Sequence, residues 1–170
     1  MQLAWTGPGL KTRSPELRLG RELALRALYS VDLSDFAPHI AWMRCESSFF
    51  SEEEEEARGD EDHRLAEMSD EALAQARDIG RALLFAYWKH RLEIDGIIRG
   101  SSKRWKLSRM LPIERNILRL GTLELLMSVT PTRDVIYDCV ELAKSFGDAP
   151  TPRFVNGILD QICQDNQITL

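Results

Sequence analysis

A chain of 170 residues, 44% of them hydrophobic and with a net charge of −5, is long enough for a real core and ordinary for a globular protein. No apolar run approaches the roughly 18–20 residues that a membrane-spanning helix needs, and the first fifteen residues lack the basic-then-apolar order of a secretory signal, so the expected compartment is the cytoplasm, with no membrane partner. Residues 46–71 hold twelve acidic side chains against Arg58 and Arg64, a net −10, which leaves twenty bases and fifteen acids elsewhere, a net +5; the acidic total therefore does not exclude a nucleic-acid partner.

Residues 1–14 contain Gly7, Pro8 and Gly9 and show no periodicity, which predicts a flexible N-terminal tail. Ser14 then offers an N-cap, and Pro15 suits the first helical position, where its missing N–H costs nothing. Leu17, Ala24, Leu28 and Val31 recur at helical spacing and predict a first helix from Pro15 to Leu33. Phe36, Ile40 and Met43 suggest a second, weaker helix that ends before Phe50. The stretch at about 51–68 is too acidic to bury apolar surface and reads as a disordered loop within one helical domain, 15–170.

Ser69, Asp70 and Glu71 make a helix start, with a capping hydroxyl and acids at the positive end of the dipole. Leu73, Ala76, Ile79, Leu83, Leu84 and Tyr87 carry that helix to about Leu92, and Ile94, Ile97 and Ile98 predict a further short one. Gly100, Ser101 and Ser102 break the pattern. Another periodic helix runs from Met110 to near Ser128, and Thr130, Pro131 and Thr132 form a turn. Val135, Ile136, Val140, Leu142 and Ala143 mark the next helix, with Gly147 expected to stop it at a positive φ. Thr151 is expected to cap, and Pro152 to open, a last helix with Val155, Ile158, Leu159 and Ile162 inside. The fold class is all-α.

The chain has no Gly-rich phosphate loop, HExxH, CxxC or nucleophile elbow. Cys45, Cys139 and Cys163 lack metal-ligand spacing and read as idle thiols. His39, His63 and His90 are far apart in sequence. The dense carboxylates sit in the acidic stretch, where no burial would tune them for acid–base work. The expectation is a non-enzyme with no cofactor and no metal.

Four motifs carry a resemblance. The run Trp105-Lys106-Leu107-Ser108-Arg109-Met110-Leu111-Pro112-Ile113-Glu114-Arg115-Asn116-Ile117-Leu118-Arg119-Leu120-Gly121, with Glu124-Leu125-Leu126 after it, resembles the central segment of NusB proteins. Val140 to Gly147 is similar to that family's EAVELAKxFG pattern, and Phe154 to Asp160 to its KFVNGVLD pattern. Arg21 to Tyr29 resembles its RELALQALY pattern. The likeness covers about 17–33 and 73–163. It implies a NusB-like fold of about seven helices in two packed helical bundles. It also implies a transcription antitermination factor that binds boxA-type RNA with ribosomal protein NusE. That assembly joins elongating RNA polymerase and helps it pass terminators, chiefly on ribosomal RNA transcripts.

An RNA face needs surface bases and aromatics, because arginine forks grip phosphates and flat rings stack on unpaired bases. The candidates are Arg18, Arg21, Arg133, Lys144, Phe146, Arg153 and Phe154; each phenylalanine reads equally well as core. Arg99, Lys103, Arg104, Lys106 and Arg109 form either a second basic patch or a solvated connector. Gly121 and Gly157 are expected at close helix–helix contacts. Family members often carry a run of arginines before the first helix's apolar core, whereas Arg13-Ser14-Pro15-Glu16-Leu17-Arg18-Leu19-Gly20-Arg21 interrupts that run, which predicts fewer phosphate contacts. The alternative is a NusB-fold protein-interaction adaptor with weak or lost RNA binding. A methyltransferase fragment is disfavoured, since 170 residues leave no room for a methyltransferase domain beside the NusB-like one, and only truncation would save that reading. A homodimer through apolar helix surface stays open.

Overall fold

The computed structural model describes residues 2–51 and 63–169, so the acidic loop expected at about 51–68 falls mostly on residues 52–62, outside them. Among the described residues every regular element is helical: α1 Pro15–Ser34, α2 Pro38–Phe49, the single turn α3 His63–Ala66, α4 Asp70–Ser101, α5 Pro112–Met127, α6 Thr132–Phe146 and α7 Thr151–Asp165, with a short 3₁₀ turn at Leu107–Arg109. The residues group into two compact units, Gly7–Phe85 and Met1–Thr6 with Ala86–Leu170.

In the first unit, Ser14 Oγ accepts the Leu17 N–H at 3.1 Å, and Pro15 opens α1 as its cap and ring geometry require. The helix ends at Asp35, whose φ of 53° places it in the left-handed region without a glycine. Leu17, Leu23, Ala24 and Leu28 are buried, and α1 packs on α2. The inward face of α2 differs from the expected one. Ala41, Trp42 and Phe49 are buried, while Ile40 and Met43 lie outward, Met43 at 62% exposure. The register that buries the large indole places Pro38, Ala41, Trp42 and Phe49 together, and Met43 falls on the opposite side.

The expected interruption near Leu92 is absent, and α4 is one helix of 32 residues. Its inward residues Ile79, Leu83, Tyr87, Ile94 and Ile98 keep one helical face throughout, and residues 88–95 contain neither proline nor glycine to break it. Ser69 Oγ accepts the Ala72 N–H at its start, as a cap should.

In the second unit, α5, α6 and α7 pack on one another pairwise over Ile117, Leu118, Val135, Cys139, Leu142, Val155 and Leu159, all buried. The N-terminal segment is tied down here. Leu3 is buried, and its N–H donates to Leu126 O at 2.9 Å, an anchor that the absence of periodicity did not announce. At α7 the cap is Pro150. Thr151 is already helical, and its buried Oγ1 makes no hydrogen bond. Gly147 has φ −109°, so space and not a positive φ requires it. A Cβ there would stand 2.6 Å from Thr151 Cγ2 and 2.9 Å from Ala143 O. The three cysteines are thiols outside any disulfide, Cys139 and Cys163 are buried, and burial pushes the Cys163 thiol above its usual pKa.

Gly121 and Gly157 part company. A Cβ on Gly121 would lie 2.9 Å from Cys139 Sγ and 3.0 Å from Leu159 Cδ2, whereas one on Gly157 would meet nothing within 4 Å. Gly157 is exposed, so the expected helix contact is not there. Gly121→Ala is therefore expected to destabilise by about 1–3 kcal/mol through overpacking. Gly157→Ala should stabilise by about 0.5–1 kcal/mol through helix propensity alone. Urea midpoints of the two variants check this; a shift in the same direction for both would refute the steric distinction.

Candidate nucleic-acid interface

The seven residues nominated by sequence do not share one environment. On α1, Arg18 is exposed and Arg21 is only 2% exposed. The helix explains the split, because Arg21 follows Leu17 by four residues and precedes Ala24 by three, on the face that makes the core. Arg21 is thus a buried, partnered arginine and not a surface contact for phosphate.

Arg18 borders a groove of about 340 Å³ together with Arg13, Leu19, Glu22, Phe49 and Glu67. Two arginines there face two carboxylates, so the groove is mixed in charge. Arg26, one turn on, donates to Glu22 Oε1 from Nε at 3.3 Å and from Nη2 at 3.2 Å, and its guanidinium lies 5.1 Å from the Phe49 ring centre. Such stacking suits a planar guanidinium on an apolar surface.

In the second unit, Lys144 and Phe146 close α6, and Arg153 and Phe154 lie in the first turn of α7, four linking residues away. Arg153 and Lys144 are exposed, and Phe146 and Phe154 are half-buried. Lys144 Nζ donates to Glu141 Oε1 at 2.7 Å, and that bond holds its ammonium above the ordinary lysine pKa, so its charge is partly engaged within the helix. Arg133 is exposed at the opposite end of α6, about 20 Å from Phe146 at 1.5 Å per residue. The fold thus gathers Lys144, Phe146, Arg153 and Phe154 at one end of the α6–α7 hairpin and leaves Arg133 at the other.

Sequence reasoning missed the partner of Phe154. Trp105, 49 positions earlier, meets it edge to face at 5.7 Å between ring centres and 83° between planes. Its signal was a tryptophan set among lysines and arginines with no acid between. Among the described residues no helix is long and apolar enough to cross a membrane, and no cluster of three His, Cys, Asp or Glu is placed to hold a metal ion.

A family model for the NusB family matches residues 18–164. The chain belongs to the NusB family. It is similar to the transcription antitermination protein NusB of Geobacter sulfurreducens, 36% identical over 148 residues that cover 85% of this chain and 91% of that one. It is equally similar to the NusB of Myxococcus xanthus, 36% identical over 146 residues, 85% and 92% of the two chains. A crystal structure of the antitermination factors NusB and NusE in complex with dsRNA contains a chain of the same fold, with a TM-score of 0.65 and 25% identity over 88% of this chain and 97% of that one. The NusB match spans all seven nominated residues, from Arg18 to Phe154, and excludes most of the N-terminal segment that Leu3 anchors.

Proposed function

We propose that this chain is a non-catalytic, cytoplasmic transcription antitermination factor. It binds boxA-type single-stranded RNA together with ribosomal protein NusE and joins elongating RNA polymerase, chiefly on ribosomal RNA transcripts. Membership of the NusB family carries this reading, since relatives 36% identical over most of their length are transcription antitermination proteins. The exposed end of the α6–α7 hairpin supports it, because Arg153 offers a phosphate fork beside the half-buried ring of Phe154. Arg18, exposed on α1, is a separate candidate for phosphate. Arg21 leaves the set because it is buried, and Arg133 belongs to a different part of α6.

One observation favours the adaptor reading. With Arg21 inside and Lys144 held by Glu141, few of the nominated cations stand ready for phosphate. Each phosphate contact adds about 0.7 to the salt slope of single-strand binding, so a short set predicts weak binding by the chain alone. The test is a binding titration of a boxA-like single strand with and without NusE at two salt concentrations. The expected result is salt-sensitive binding that NusE strengthens. No binding in either case would replace the antitermination reading with a protein-interaction adaptor.

A further inference from the structure

The loop between α4 and the 3₁₀ turn is built in a way that packing alone does not explain. It begins at Ser102, whose backbone O accepts the Trp105 N–H at 2.8 Å. The buried Ser102 Oγ lies 2.6 Å from Ile98 O and 3.1 Å from Trp105 O, so its one proton serves either carbonyl. Leu107 and Met110 are buried and pin the far side, and the Arg109 N–H donates to Lys106 O at 2.8 Å. Between these anchors the chain turns its large polar side chains outward. Lys103, Arg104, Lys106 and Arg109 are all exposed, and residues 102–111 contain no acid.

Trp105 stands in the middle of that basic run at 58% exposure. An indole is a costly group to leave in water, about 25 cal/mol for each Å² of apolar surface. The backbone bonds that hold the turn fix where the indole emerges. An edge-to-face pair covers at most one face of each ring, so the Trp105–Phe154 pair leaves aromatic surface open beside exposed Arg153. Of the nearby acids, Asp165 is held mainly by hydrogen bonds from Ser101 and Gln161 and only then feels the charge of Lys103. Arg104, Lys106 and Arg109 keep the patch basic.

We infer that Trp105 and its basic loop extend the RNA face. In this arrangement the indole stacks an unpaired base next to the one served by Phe154, and Arg104 and Lys106 hold the flanking phosphates. The inference rests on the RNA-binding reading above. It fits a single strand better than a protein surface, because interleaved cations match a polyanion and any base offers a flat face to the ring.

The test compares binding of a uridine-rich single-stranded 12-mer, with NusE present, by the natural protein and by Trp105→Ala, Trp105→Phe and the double variant Arg104→Gln, Lys106→Gln. Stacking predicts that Trp105→Ala weakens binding roughly 5- to 150-fold with an unchanged salt slope, and that Trp105→Phe restores most of it. The double variant should lower the salt slope by roughly 0.7 per lost contact. Circular dichroism of each variant tracks folding, and the conservative Trp105→Phe keeps the test decisive should alanine unfold the loop. Natural-strength binding by Trp105→Ala and the double variant, with loss in Arg153→Ala, would overturn this inference and leave the RNA reading intact. No RNA binding by the natural protein would overturn both. Loss of binding to anionic phosphatidylserine vesicles in place of RNA would assign the loop to a lipid surface and refute the inference.

Discussion

Replacing Gly80 with alanine is expected to destabilise the first unit by about 2–3 kcal/mol, although alanine is the better helix former by about 1 kcal/mol. A Cβ at Gly80 would stand 2.7 Å from the backbone oxygen of Gly20, 3.0 Å from Trp42 Cη2 and 3.2 Å from Leu23 Cβ. The nearest of these atoms is backbone, which cannot rotate aside, so α1 and α4 must separate. Gly20 meets the same crossing from the other side, where its Cβ would lie 2.6 Å from Ile79 Cγ2 and 3.0 Å from Ala76 O. Once one alanine has opened the crossing, the second meets less resistance. The double variant should therefore cost less than the sum of the singles, as contacting sites do. Denaturant unfolding of the three variants measures this. Full additivity would mean that the two glycines do not share a crossing, and a neutral Gly80→Ala would mean that the helices can part at no cost.

These glycines show where sequence reading stops. A glycine inside a helix looks the same whether a neighbouring helix demands the space, as at Gly20, Gly80 and Gly121, or nothing does, as at Gly157. Only the partner element, distant in sequence, decides. Helix periodicity, in contrast, was legible. It fixed α1, α6 and α7 closely, and Ser14 and Ser69 cap as their hydroxyls suggest. The same arithmetic held more than was taken from it. Leu17, Arg21, Ala24 and Leu28 follow one another at helical spacing, so the burial of Arg21 was written in the pattern that predicted the helix. The continuity of α4 past Leu92 was also readable, from one apolar face with neither proline nor glycine between Trp88 and Asp95.

The site was less legible, for a different reason. The motifs contain both Trp105 and Phe154 but not their contact, since an aromatic pair across 49 residues leaves no local trace. Arg133 and Arg153 look equivalent as letters, and only the length of α6 places them at opposite ends of the hairpin. Lys144 carries its neutralising partner three residues upstream, a spacing on which helical side chains meet.

The pairing of Asp95 with Arg119, 24 residues apart, carries an expected effect at least as large. Arg119 Nε donates to Asp95 Oδ1 and Nη2 to Oδ2, each at 3.0 Å, a two-pronged fork between α4 and α5. Tyr87 adds its hydroxyl proton to Asp95 Oδ1 at 3.2 Å, and its ring lies 5.5 Å from the guanidinium. Nη1 of Arg119 donates to Asn116 Oδ1 at 2.9 Å, and Asn116 Nδ2 donates in turn to Pro112 O. The two charged side chains are 13% and 17% exposed, so water reaches them poorly. Asp95→Ala removes two of the guanidinium's acceptors and the acceptor of the Tyr87 hydroxyl at one stroke. A buried charge left without its partner costs about 3–5 kcal/mol, and the residual exposure brings the expectation here to about 2–4 kcal/mol. Asp95→Asn keeps one acceptor and the side-chain shape, so it should cost roughly half as much. Replacing both partners by apolar residues of similar size, Asp95→Leu with Arg119→Met, should recover most of the loss, because neither charge is then stranded. Thermal and urea unfolding of these variants separate the possibilities. A double variant as unstable as Asp95→Ala would show that the fork itself holds α4 to α5, and an Asp95→Ala variant within 0.5 kcal/mol of the natural chain would show that solvent satisfies Arg119 without it.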